Sequence, residues 1–215
     1  MLTPEDASFI TAAAEGLATP LYEALDHGYT AAHRHYDDSG MMGEGFSKGR
    51  TDLARDHTRR FIEDRYGEQL DLGGWEPIKN ASGRLHLRNG MMTLRLLHAT
   101  PYDMSTIPAP GRNKARISYY YNRTVDLFGV QASNLLAVWL SPPEEGGEIS
   151  VRIVRPIGEW KPGRPPKFDL DFELPRNTES FTDWEFIPDD KGLALPFEFE
   201  EDQREEGEGS GAGSS

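Results

Sequence analysis

The run Gly111-Arg112-Asn113-Lys114-Ala115-Arg116-Ile117-Ser118-Tyr119-Tyr120-Tyr121-Asn122-Arg123 interleaves four cations with three tyrosines and two asparagines. Arginine and lysine are the side chains that meet phosphate, and exposed aromatic rings offer platforms on which unpaired bases stack. As a strand over 116–122, the run places Tyr119 and Tyr121 on one face and Tyr120 on the other. Arg84, Arg88 and Arg95 come from a hairpin before it, and Arg152 and Arg155 from one after it. They extend the same patch if their strands are neighbours. The candidate binding set is therefore Arg84, Arg88, Arg95, Arg112, Lys114, Arg116, Tyr119, Tyr121 and Arg123. A plainer role competes: the tyrosines fill a core or an edge, and the cations neutralise acidic flanks. No named nucleic-acid motif accompanies the run.

Other chemistry is less well provided for. The chain has six histidines, and His33-Arg34-His35-Tyr36-Asp37-Asp38 gathers two of them with two carboxylates. On a helix His33 and His35 point about 200° apart and cannot share an ion. His33 and Asp37 are better spaced, but no His-Glu-x-x-His arrangement exists and nothing supplies a third ligand. No metal site and no cofactor are assigned. Glu148, Arg152 and Glu159-Trp160-Lys161 loosely resemble nuclease cores, in which acids and a lysine on adjacent strands hold a metal ion. Pro156 and Gly158 disturb the strand just before that triplet. Asp169 and Asp171 share the wet face of a strand. There is no Gly-x-Ser-x-Gly elbow, phosphate-binding Gly-rich loop or dinucleotide fingerprint. The absence of cysteine excludes thiol catalysis, disulfides and thiolate metal sites. The balance leans away from an enzyme.

These side chains need elements to position them. Pro4-Glu5-Asp6 opens a helical region over 4–36, with Phe9, Ile10, Ala13, Ala14, Leu17, Leu21, Leu25 and Tyr29 at helical spacing. Pro20 is expected to split it in two. After a glycine-rich loop, a second helix spans 50–66, capped by Thr51 and stopped by Gly67. Leu53, Ala54, His57, Phe61 and Ile62 form its inner stripe. Its outer side, Asp52, Arg55, Asp56, Arg59, Arg60, Glu63 and Arg65, reads as a solvated face. Beyond Gly73-Gly74 the texture changes to short strands, with Asn89-Gly90 the strongest hairpin signal. Phe168, Leu170, Phe172 and Leu174 alternate as the buried side of a last strand. Helices followed by five to seven strands, without a βαβ rhythm, imply an α+β fold: N-terminal helices packed on a mainly antiparallel sheet. One domain is expected over 1–197, helical over 4–66 and strand-rich over 75–188. Residues 198–215 form an acidic tail too polar to fold.

Charge sharpens the picture. The net charge is -13, but residues 79–167 carry 13 cations and 6 acids, a basic centre between acidic flanks. The N-terminus lacks a secretory pattern and no apolar run is long enough to span a membrane, so a cytoplasmic location is expected. The segments Asn113–Tyr120, Asn134–Trp139, Val151–Trp160 and Phe168–Pro175 resemble uncharacterised actinobacterial proteins. That resemblance covers most of 75–190 and implies a bacterial origin, a phage or mobile element among the sources; it brings no catalytic residues. The function expected is non-enzymatic binding or regulation, with a basic sheet engaging nucleic acid or an acidic protein and the tail competing for it. The alternatives are a metal-dependent nuclease or other hydrolase of bacterial conflict, and an acidic DNA mimic.

Overall fold

Thr3 starts the first helix with a reciprocal cap. Its hydroxyl accepts from the Asp6 backbone N–H at 3.1 Å, and the Asp6 carboxylate accepts from the Thr3 N–H at 3.2 Å. In the computed structural model, which describes residues 2–66, 71–79, 84–99, 107–122, 133–142, 147–162 and 164–176, this helix, α1, runs unbroken from Pro4–Asp38. The expected break at Pro20 does not occur. Pro20 is buried inside the helix between Leu17 and Leu21, both fully buried. An interior proline costs about 3 kcal/mol, and burying the apolar stripe on either side outweighs it. Ile10, Ala14, Leu17, Leu21 and Leu25 face the core as expected, while Phe9 stays exposed.

A 3₁₀ turn at Glu44–Phe46 leads into α2, Ser47–Tyr66, three residues earlier than expected. Thr51 is not its cap: its hydroxyl donates to the Ser47 carbonyl. The buried stripe is Ala54, Thr58 and Ile62. The helices approach closely at Gly28, where an added Cβ would lie 2.5 Å from the Ala54 carbonyl oxygen and 2.2 Å from the Thr58 hydroxyl. Gly28→Ala would gain roughly 1 kcal/mol of helix propensity, but the backbone contact must open. We expect a net loss of about 1–3 kcal/mol, read as a lower midpoint in chemical denaturation at unchanged m-value.

The six strands lie in sequence order: β1 (Glu76–Pro77), β2 (His86–Asn89), β3 (Met92–Ala99), β4 (Ser133–Leu140), β5 (Ser150–Ile157) and β6 (Lys167–Glu173). All neighbours are antiparallel except β3 and β4, which run parallel over eight residues. A short helix, α3 (Lys114–Tyr121), lies on the connection between those two. One βαβ unit is thus embedded in an otherwise antiparallel sheet. The α+β expectation holds, with N-terminal helices on a mainly antiparallel sheet.

The two faces of the sheet are covered differently. Leu94, Leu96, Leu135, Ala137, Trp139, Val151 and Ile153 join α1 and α2 in the larger core. Leu136, Val138, Leu140 and Val154 pack with Tyr120 and Ile107 in a smaller one. The Asn89-Gly90 hairpin forms as expected, with Asn89 opposite Met92 and Gly90 at φ 55°. In β6 Leu170, Phe172 and Leu174 are buried, but Phe168 is 43% exposed. An irregularity opposite Arg155/Pro156 shifts the register just there. The expected tail, 198–215, lies outside the described residues.

Candidate functional site

The segment expected to be a tyrosine-bearing strand is α3. Asn113 caps it, its side chain accepting from the backbone N–H groups of Ala115 (2.9 Å) and Arg116 (3.3 Å). Asn122 closes it in the left-handed conformation at φ 44°. Three adjacent tyrosines favour a strand on propensity, but these caps and the fit against the sheet decide otherwise. The Tyr119 hydroxyl lies 2.7 Å from the Leu135 carbonyl and 2.9 Å from that of Thr93. The Asn134 amide donates to the Tyr119 carbonyl, and the Asn122 amide donates to the carbonyls of Asn134 and Pro156. Burial raises both Tyr119 and Tyr120, the latter to about 12. These hydroxyls stay protonated and structural. Tyr119 is a pin holding α3, not a stacking platform.

Pinned in this way, α3 carries Arg116 toward the edge of β3. The ladder between β2 and β3 ends at His86 opposite Arg95, and the Leu96 N–H then bonds the Leu85 carbonyl at 3.2 Å. Over the edge of β3 beyond that point lies a cleft of ≈ 580 Å³. Arg95 lines it from β3, Arg84 from the approach to β2, Arg116 from α3, and Lys48 and Arg55 from α2. Five cations from four elements thus share one concavity, with Asp52 and Asp56 as its only carboxylates among the described residues. Asp52 pairs with Arg55.

Arg84, Arg95 and Arg116 have no carboxylate partner among the described residues. Arg95 is 5% exposed, and its Nε, the Nε of Arg116 and the Nε2 of His86 are buried without a hydrogen-bond partner. Burial, then the charges of Arg84 and Arg116, hold the Arg95 guanidinium below its usual range. Burial and Arg116 do the same to Arg84. A guanidinium does not give up its proton at neutral pH, so the cluster carries real, mutually repelling charge. Such an arrangement attracts an anion able to take several N–H donors at once.

A second cleft of ≈ 860 Å³ adjoins the first and shares Lys48, Asp52 and Arg55 with it. His98 and Trp139, side by side at the ends of β3 and β4, form part of its wall. The His98 ring meets Trp139 edge-on at 4.4 Å, and its Nε2 lies 3.0 Å from the Ser141 hydroxyl. A third cleft, by His57 and Phe61, is lined by Arg60 and Arg65, which pair with Asp64 and Glu23. It offers no comparable charge.

Comparison with family models, curated proteins and solved structures finds no match. The geometry alone carries the functional reading.

Of the nine expected binding residues, Arg84, Arg95 and Arg116 converge. Arg88 is exposed and pairs with Glu76 at 3.5 Å. Arg112 and Lys114 are exposed at the start of α3 and do not line the cleft. Tyr121 is half-buried on α3 rather than sharing a strand face with Tyr119. Arg123 lies outside the described residues. Arg152 and Arg155 do not extend the patch, because they pair with Asp171 and Asp169 across β5 and β6. Those aspartates are therefore partly buried ion-pair members, not a wet face. Glu148 and Glu159 lie beyond opposite ends of β5, a strand that itself spans roughly 23 Å at 3.3 Å per residue, so they are too far apart to hold one ion. Among the described residues no group of three acids or histidines is placed to bind a metal, and no helix is long and apolar enough to cross a membrane.

Arg55 was missed because the outer side of the second helix reads as a solvated face, and Lys48 because it reads as part of the glycine-rich loop before a helix that in fact starts at Ser47. The available signal was helical spacing: Lys48, Asp52, Arg55 and Asp56 fall on one side of the helix.

The site has a pH signature. Burial, followed by the charges of Arg95 and Arg84, lowers His86 to about 4. Burial, followed by Arg55, lowers His98 to about 4. Both are neutral when folded at pH 7, and neither penalises folding above pH 6.5. Between about 6.5 and 4 the unfolded chain takes up protons that the folded chain refuses, so stability falls as pH falls. Chemical denaturation from pH 7.5 to 4 should show this decline, with a shallower slope in His86→Gln.

Proposed function

We propose that this chain is a binding protein for a phosphate-bearing anion, held in the cleft over the β3 edge by Arg84, Arg95, Arg116, Arg55 and Lys48. The observation that carries this is Arg95: it is 5% exposed, its Nε is buried without a hydrogen-bond partner, it has no counter-charge among the described residues, and it lies beside the half-buried Arg116 and the exposed Arg84, which also lack one. Placing such a charge in a core is costly unless something compensates it. A phosphate group accepts bidentate bonds from several arginines at once. A flat nucleic-acid surface is less well supported, because Arg88, Arg112, Lys114 and Tyr119 do not join the cluster.

Inorganic tripolyphosphate is a suitable probe. At a hundred times Kd it should stabilise the protein by about 2.7 kcal/mol, seen as a rise in Tm and as heat in titration calorimetry at low salt. Binding should weaken as salt is added. No shift and no heat at millimolar tripolyphosphate would overturn the proposal.

The tail supplies a further prediction. Residues 198–208 hold seven acids and one arginine, so removing 198–215 changes the net charge from -13 to -7. Weaker long-range repulsion should tighten tripolyphosphate binding, and the difference between full-length and truncated chains should shrink at high salt. Calorimetry on both forms at two ionic strengths measures it.

A further inference from the structure

We propose that the anion is the phosphate chain of a nucleoside di- or triphosphate, whose sugar and base occupy the adjoining cleft. The inference rests on the phosphate-binding reading of the arginine cleft and adds the remainder of the ligand. Three observations support it.

The two clefts share Lys48, Asp52 and Arg55 in their linings, so a ligand lying across these side chains would reach both. Their characters differ as the two ends of a nucleotide do. One end is cationic; the other has the rings of Tyr29 and His98 and the apolar side chains of Met42 and Pro142 beside hydroxyls of Thr51 and Ser141, with His33, Glu44 and Arg50 also lining it. A base needs flat apolar contact on its faces and hydrogen-bonding groups at its edge. Inorganic phosphate would use the first cleft alone and leave the second without a role.

The His98 ring suits contact with a neutral base. Burial and Arg55 keep it uncharged at pH 7, and its Nε2 is engaged with Ser141 at 3.0 Å. Trp139, its neighbour across the β3–β4 ladder, meets it edge-on at 4.4 Å.

Asp52 stands at the junction. A carboxylate beside a phosphate site weakens phosphate binding by like-charge repulsion, but Asp52, paired with Arg55, keeps acceptor capacity for a further donor. Ribose hydroxyls are donors that a carboxylate accepts well, and the junction is where the sugar of a spanning nucleotide falls. Asp52 would therefore separate nucleotides from bare polyphosphates.

Titration calorimetry with tripolyphosphate and with ATP, GTP, CTP and UTP tests this, because the probes carry similar charge. At least one nucleotide should bind about tenfold tighter than tripolyphosphate, the worth of one or two added contacts. Asp52→Asn should weaken that nucleotide by about tenfold while tightening tripolyphosphate, since a negative charge leaves the cleft. This opposite movement is not what a general loss of structure produces. His98→Leu, checked by thermal denaturation for a folded chain, should lose the nucleotide advantage and keep tripolyphosphate binding. If tripolyphosphate binds and no nucleotide binds tighter, the nucleotide inference falls while the anion site stands. If neither class binds, both fall.

Discussion

Arg95→Met is expected to make the protein more stable and unable to bind. Methionine matches the length of the arginine stem and carries no charge to desolvate. Arg95 is 5% exposed, lies beside Arg84 and Arg116, and has no carboxylate partner among the described residues. A buried charge without a partner costs several kcal/mol, and apolar replacements of buried ionic groups stabilise by about 1–4 kcal/mol. We expect a gain of about 2 kcal/mol in the ligand-free protein, with Tm rising about 2–4 °C for each kcal/mol. The stabilisation by tripolyphosphate should disappear at the same time. Arg88→Gln is the control: Arg88 is exposed and its side chain pairs with Glu76, so stability should change by less than about 0.5 kcal/mol and tripolyphosphate binding should persist. Chemical denaturation with and without ligand reads both effects. A less stable Arg95→Met protein would mean that the arginine is compensated after all, and the cleft would lose its main argument.

Asp169→Ala should have the largest effect on folding, in the opposite direction. Asp169 pairs with Arg155 at 2.6 Å, and both side chains are nearly buried, 11% and 5% exposed. The same carboxylate accepts from the Leu2 backbone N–H at 3.2 Å, tying the N-terminus to β6. Among the described residues, truncating it leaves the Arg155 side chain buried with a 3.3 Å contact to the Ser133 hydroxyl. Breaking a buried pair from one side costs about 3–5 kcal/mol, a large part of a typical domain stability of about 5–15 kcal/mol. The double replacement Asp169→Leu with Arg155→Met removes both charges and should recover most of the loss. A double-mutant cycle by urea denaturation separates the pair from its surroundings. Asp171→Ala should cost less, because its partner Arg152 and Asp171 itself remain 23% and 17% exposed.

Arg95 and Arg155 show how unlike two buried arginines can be. Each sits on a central strand, and both were expected to extend one basic patch. Arg155 is neutralised by the neighbouring strand, because the β5–β6 register brings Asp169 within reach. Arg95 faces His86 in the register, and the elements that close over it bring further arginines. Only pairing across strands distinguishes them.

The extent to which local chemistry determines this protein is clear from its caps, periods and turns. Pro4 with Asp6, the spacing of Ile10, Ala14, Leu17, Leu21 and Leu25, and Asn89-Gly90 each act within a few residues, so they yielded α1, its buried face and the β2–β3 hairpin. The order of helices and strands likewise determined the α+β class. Where a local preference and a tertiary one disagreed, the tertiary one prevailed. Pro20 remains inside α1 because the surrounding stripe is buried. Tyr119–Tyr121 became helical because Asn113 and Asn122 cap the turn and the Tyr119 hydroxyl finds two strand carbonyls. The site belongs to the same category. Its five cations lie up to 68 residues apart in sequence, from Lys48 to Arg116. No periodicity reaches across such distances; the parallel register of β3 and β4, the placement of α3 between them and the approach of α2 bring these charges together. The sequence alone determined that the centre of the chain is basic. Tertiary structure decided that three of those arginines, without a carboxylate partner among the described residues, meet two cations from an acidic flank, because charge converges only where separate elements pack.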